Sequence, residues 1–234
     1  MAALQRFLGF ERAVIVQSSS HGTDHGALLD ALRAAPDSRR GVALVTPATS
    51  RAELRELADA GVCGARLHFL PHLGASPNHQ EQRAVLRMIA DMGWHAEIHV
   101  EGTGVAELTP TIASIRSKVV IDHMGRVDLR EGLRGPAVES LLRLMDTGNV
   151  WVKVSGADRI SRQGPPYTDA AELGALLVDH APERVLFGTD YPHTNIAGDA
   201  PDDGLLVDLI ELMAPTETQR QLLLVDNPAE FFGF

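Results

Sequence analysis

His95-Ala96-Glu97-Ile98-His99-Val100-Glu101 is the stretch from which the fold of this chain is read. Side chains of a β-strand alternate between two faces, so Ala96, Ile98 and Val100 share one face while His95, Glu97, His99 and Glu101 share the other. If helices cover the outside of such a strand, its ionisable face must turn into the interior of a barrel. Burying these groups there costs several kcal/mol unless they are paired or act as ligands. Taken alone, the strand offers two readings. Glu97 and His99 are either a paired interior carboxylate and a hydrogen-bonded core histidine, or members of a chemical site.

Six further short, β-branched runs read as strands: Ala13 to Ser18, Gly41 to Val45, Ala65 to Phe69, Lys118 to His123, Val150 to Gly156 and Val185 to Asp190. They end at Gly, Ser, Asp or His, as buried parallel strands do when polar residues emerge at the C-terminal end. Helical patterns lie between them. Arg51 to Ala60 follows Ser50 as N-cap, with Glu53 at the capping-box position and Gly61 as its stop. Glu81 to Met92 places Val85, Met88, Ile89 and Met92 on one face. Pro136 to Met145, Asp169 to Val178 and Asp202 to Met213 continue the alternation, and the opening residues read as a helix stopped at Gly9. With no linker and no block of charge, residues 1–234 form a single domain.

Alternating strands and helices leave an open doubly wound sheet or a closed barrel. No glycine-rich dinucleotide fingerprint follows the first strand. Instead Ser19, Arg66, His99, His123, Ser155 and Asp190 sit at the ends of different strands, the distribution of a TIM-like (β/α) barrel. A full barrel has eight strands in roughly 250 residues, so seven suggest a distorted or incomplete one.

The net charge of −10, from 21 Lys and Arg against 31 Asp and Glu, disfavours nucleic acid as a partner. No apolar run approaches the roughly 20 residues needed to cross a bilayer. Gln5, Arg6 and Gly9 interrupt the start, so it does not read as a signal peptide. The single Cys63 excludes an internal disulfide and fits a reducing compartment, giving a cytoplasmic expectation.

Two strand ends add chemistry to that of His99. Ile121-Asp122-His123-Met124-Gly125 projects His123 from the barrel mouth, and Gly188-Thr189-Asp190-Tyr191-Pro192 projects Asp190. The alternative for Asp190 is an N-cap, but the next helix begins only near Asp202. Two histidines and an aspartate on separate strand ends are materials for metal binding or acid–base hydrolysis. Arg66, Arg126 and Arg159 stand at or just after three strand ends, placed either to grip carboxylates in bidentate fashion or to form surface salt bridges.

Six segments in order, VIVQSSSHGTD (Val14 to Asp24), GARLHFL (Gly64 to Leu70), DHMGR (Asp122 to Arg126), VWVKVSG (Val150 to Gly156), FGTDYPH (Phe187 to His193) and DNPAEFFGF (Asp226 to Phe234), resemble the amidohydrolase-related family. The likeness is greatest to its lactone-hydrolase branch, which includes 2-pyrone-4,6-dicarboxylate lactonase. The resemblance implies a distorted TIM-type barrel in which these are strands two to eight and the first strand is missing. That strand carries His-x-His in the family. Here the early histidines, His21 and His25, match a later family segment. The resemblance further implies Asp190 and His123 as catalytic residues, and Ser19, Arg66, His72, Arg126 and Arg159 as substrate-binding residues. A divalent metal, zinc or manganese, would take His99 and Asp190 as ligands. The pyrone lactonase has tyrosine at the His99 position and works without a metal, and it has arginine at the position of His72.

The function expected is hydrolysis of a small carboxylated lactone, with Asp190 as general base and His123 polarising the carbonyl or shuttling a proton. The alternatives are non-oxidative decarboxylation on the same barrel, or an inactive chain that opens inside a longer gene. A missing first strand would leave apolar edges on the strands at Ala13 to Ser18 and Val185 to Asp190. The expectation is that Ala2 to Phe10 folds over this gap or that the chain associates through it as a homo-oligomer.

Overall fold

The computed structural model describes residues 2–69, 79–196 and 198–234. Its strands are β1 (Ala13–Val16), β2 (Arg39–Ala43), β3 (Val62–His68), β4 (His95–His99), β5 (Val119–Ile121), β6 (Val150–Val154) and β7 (Val185–Phe187). They form one sheet in chain order, and each strand runs parallel to the next. Laid flat, a sheet of this order would hold its outer strands about 29 Å apart at ordinary strand spacing. Yet Phe10, just before β1, lies with its ring 5.9 Å from that of Phe187 in β7. The sheet is therefore curled into an incomplete, TIM-like barrel. Among the described residues no pairing joins β7 to β1. Phe10 reaches across this opening, but the helix Ala2–Phe7 before it buries none of its residues. Of the segment expected to fold over the gap, Phe10 makes a ring contact with β7.

The helices follow the sequence pattern. Ser50 caps Arg51–Asp59 in a full capping box with Glu53, and Pro136–Met145 buries Leu141, Leu144 and Met145 against the sheet. In His79–Met92, Val85 and Ile89 are buried and Met88 and Met92 pack against the core. All seven strands end before the residue read from the sequence, the seventh at Phe187 rather than Asp190, and the third begins earlier, at Val62. The second strand likewise begins earlier, at Arg39. The fifth ends at Ile121, because His123, Met124, Gly125 and Arg126 all take positive φ and cannot continue a strand.

The inner face of the sheet is layered. At the N-terminal end of the strands Val120, Trp151 and Leu186 meet Phe231 and Phe232 of the final helix, Asn227–Phe232, as a separate apolar cluster. The His95 ring packs edge-on to Phe231 and Phe232, at 4.9 and 5.6 Å. Gly64, its register partner, makes room for it, since a Cβ there would stand 2.2 Å from the ring. The larger cluster lies on the outer face, where Ala65, Leu67, Ala96, Ile98, Val119, Ile121, Val152 and Val154 meet the helices.

Candidate active site

Above the apolar floor lies a largely buried ionic layer. Arg66 donates from Nε to Glu97 at 3.1 Å and from Nη2 to Asp122. The Lys153 ammonium donates to Glu97 at 2.8 Å and to Asp122 at 2.7 Å. Both carboxylates have no exposed surface. Burial works against all four charges, and their mutual attraction opposes it. Burial tends to raise Asp122, but Arg66 and Lys153 hold it well below the usual carboxylate range. Glu97 is raised by burial and by the neighbouring Asp122. Arg66 and Lys153, which burial would lower, are instead raised by the two carboxylates. Glu97 is therefore the paired interior carboxylate of the first reading, and Arg66 is an anchored member of the layer.

The next layer opens at the C-terminal ends of the strands. The His99 ring lies 5.5 Å from that of His68 and 5.3 Å from that of His123. Among the described residues both ring nitrogens of His99 are buried without a hydrogen-bond partner. Burial and then Arg66 push it down to about 2. His123 Nδ1 is hydrogen-bonded to Ser155 Oγ at 2.9 Å, and its Nε2 faces Asp190 Oδ1 at 3.6 Å. Burial pushes His123 down to about 4 against the opposing pull of Asp122 and Asp190, so the imidazole is neutral at pH 7. The turn that carries His123 packs against Gly156, where a Cβ would stand 3.0 Å from that of His123; Gly156 also has φ +65.

Asp190 has φ +68 and caps no helix; Asp202 caps the next one. Its other oxygen, Oδ2, accepts from Arg159 Nε, and Arg159 Nη2 donates to the Thr194 carbonyl at 3.0 Å. The structure thus brings Arg66, His99, His123, Arg159 and Asp190 into one connected set. Arg126 is paired with Glu101 at 3.2 Å. Ser19 begins a 3-10 turn just beyond β1. His72 lies outside the described residues.

Lys153, Asp122 and Ser155 complete the set, and Lys153 escaped the sequence reading. Its signal was the alternation of Trp151, Lys153 and Ser155 against Val150, Val152 and Val154, the same period that singled out His95 to Glu101. His68 was likewise visible only as the inward partner of His99.

The unpartnered nitrogens of His99 suit a ligand, but the carboxylate of Asp190 is taken up by Arg159 and faces His123. Among the described residues no three His, Cys, Asp or Glu side chains converge to hold a metal ion. As described, these residues do not fit one. Among them no helix is long and apolar enough to cross a membrane.

A curled parallel sheet that gathers a carboxylate, histidines and arginines at the C-terminal ends of its strands has the architecture of barrel enzymes. The family model described as amidohydrolase matches residues 1–234, and the chain belongs to that family. It is 40% identical over 239 residues to a 2-pyrone-4,6-dicarboxylate hydrolase of Comamonas testosteroni, covering 98% of this chain and 78% of that protein. It is 35% identical over 229 residues to a 4-sulfomuconolactone hydrolase of Hydrogenophaga intermedia, covering 97% and 76%. An Acinetobacter baumannii protein proposed to be a 2-pyrone-4,6-dicarboxylic acid hydrolase, solved with citric acid bound, superposes with TM-score 0.85 at 28% identity, covering 100% of this chain and 87% of that one. A Burkholderia multivorans amidohydrolase with bound zinc, at 17% identity and TM-score 0.76 over 100% and 87% of the two chains, shares the fold.

Proposed function

We propose that this chain hydrolyses a small carboxylated lactone of the 2-pyrone-dicarboxylate or muconolactone kind, with Asp190 as general base. The observation that carries the reading is the placement of Asp190 at the barrel mouth, against neutral His123 on one side and Arg159 on the other. The names of the hydrolases to which the chain is similar supply the substrate class.

In this reaction Asp190 takes a proton from water as the water oxygen bonds to the ring carbonyl carbon. With Ser155 as donor to Nδ1 of His123, the ring proton sits on Nε2, the nitrogen that faces Asp190 at the barrel mouth. That N–H stabilises the oxyanion as it develops. Collapse breaks the ring C–O bond, and the departing oxygen takes the proton from Asp190. The products are one new carboxylic acid and one hydroxyl. Ser19, Arg66, His72, Arg126 and Arg159 are assigned to the substrate's carboxylates, which guanidinium groups match in charge and shape. Zinc or manganese at His99 and Asp190 would require Asp190 to leave Arg159 and a further donor to join; no step here is routed through a metal. The reading also includes a cytoplasmic location and self-association across the opening between β1 and β7.

Asp190→Asn keeps the size and removes the base. Turnover of the best lactone in a panel should fall by the roughly 10²–10⁴-fold that general-base catalysis supplies. Retention of activity to within a few-fold would overturn the mechanism.

A further inference from the structure

Asp190 does not hold its place by itself. It takes φ +68, and His193 and Asn195, further along the same turn, take φ +58 and +61. Residues with a Cβ rarely adopt this left-handed region, and they persist there only where their surroundings hold them. Relaxation of Asp190 to an ordinary negative φ would swing its Cβ and carry the carboxylate away from His123, which it faces at 3.6 Å. On one side the turn is gripped by Arg159, which reaches the Asp190 carboxylate and the Thr194 carbonyl. On the other side stands His193. Its backbone N–H donates to the Asp190 carbonyl at 2.8 Å, and its ring Nε2 is hydrogen-bonded to Asp203 Oδ1 at 3.1 Å. A carboxylate only accepts, so Nε2 carries the ring hydrogen. The His193 side chain is 2% exposed and that of Asp203 11%. Asp203 opens the helix Asp203–Asp208, which Asp202 caps and which buries Leu206; Leu209, Ile210 and Met213 follow it into the core. His193 therefore ties the residue that bears the reacting carboxylate, through its backbone, to a helix fixed in the core, through its ring.

We propose that His193 is a positioning residue for Asp190, and that Asp203 is the anchor against which it works. The pair keeps residues 190–195 on their left-handed path, so the carboxylate stands against His123 before a substrate arrives. Buried as it is, the ring acts through the turn and does not touch the substrate. Positioning of this kind is felt in turnover, because misplacing a reacting group by about 1 Å costs on the order of a hundredfold in rate. Binding is felt less, because the side chains assigned to the substrate's carboxylates stand on other elements.

The role rests on the lactonase reading only where turnover is measured. His193→Phe fills the same space and removes the ring's hydrogen bond; His193→Gln keeps a donor. On the best lactone of a panel, His193→Phe should lower kcat by about ten- to hundredfold and change KM by less than about threefold. His193→Gln should recover most of that loss. In an Asp190→Asn background the change to Phe should alter the residual rate by less than about twofold, because His193 acts only through Asp190. Unchanged kcat in His193→Phe, or an undiminished loss in the Asp190→Asn background, refutes the role. A second measurement needs no substrate. Urea midpoints of Arg159→Met, Asp190→Asn and the double variant give the coupling between these two side chains, first with His193 in place and then with Phe. The coupling should fall by about half or more in His193→Phe and return in His193→Gln. A coupling equal in both backgrounds, absence from both included, overturns the positioning. If no lactone is turned over while the coupling falls, the lactonase reading fails and the positioning stands. Should His193→Phe not fold, Asp203→Ala, which removes only the acceptor, replaces it in each comparison.

Discussion

Arg66 and Arg126 begin as similar arginines at strand ends, and their partners give them different energetics. Arg66 lies over two carboxylates with no exposed surface, whereas Arg126 pairs with a Glu101 whose side chain is 36% exposed. Removing one member of a buried ionic set strands the rest and costs on the order of 3–5 kcal/mol, against about 0–1 kcal/mol for an exposed pair. Arg66→Met should therefore lower the urea midpoint strongly, and Arg126→Met hardly at all. Equal stability of the two variants would show that the layer is not structural. The sequence marked Arg66 as a strand-end residue, but no local signal revealed that Asp122 and Glu97 would close on it. Those contacts join residues 56 and 31 positions apart in the chain.

At the scale of elements, the strand that best announced its role, β4, works by leaning on its neighbours. His95 enters the apolar floor only because Gly64 on β3 carries no side chain. Gly64→Ala would force the buried His95 ring against Phe231 and Phe232, and overpacking of this kind costs about 1–3 kcal/mol. Thermal unfolding of Gly64→Ala should show a clear loss that His95→Ala in the same chain partly restores. A Gly64→Ala protein as stable as wild type would contradict the packing. By contrast the helix Arg51–Asp59 is set by local chemistry. Its Ser50 and Glu53 capping box was legible in the sequence, and Ser50→Ala should cost only about 1 kcal/mol.

Across the whole molecule, burial has placed three histidines where their charged forms are excluded. Burial, aided by Lys153, lowers His95 to about 3, burial with Arg66 lowers His99 to about 2, and burial lowers His123 to about 4. The unfolded chain protonates all three near the ordinary histidine value of about 6.5. Below that pH it binds protons that the folded chain refuses. These groups therefore contribute stability above pH 6.5 and lose it as the pH falls toward 4, where His123 begins to titrate in the fold. With three such groups the slope reaches roughly 4 kcal/mol per pH unit. Urea titrations between pH 7 and 4.5 should show stability falling steeply, with an uptake of about three protons on unfolding. A flat profile over that range would mean that the histidines are not buried as neutral groups.

The sequence by itself determined the alternation of strands and helices, their order, and which face of the strand from His95 to Val100 turns inward. Those properties follow from period-two and period-3.6 patterning and from caps, all written in neighbouring residues. It also marked His99, His123, Asp190 and the arginines as strand-end groups. Only the tertiary structure decided how these groups share their charges. The curl of the sheet sets Arg66 and Lys153 on the same pair of carboxylates and leaves Arg159 to Asp190. Partner choice among buried ions depends on distances between side chains remote in sequence and on how far each is removed from water, and neither quantity exists until the strands have come together.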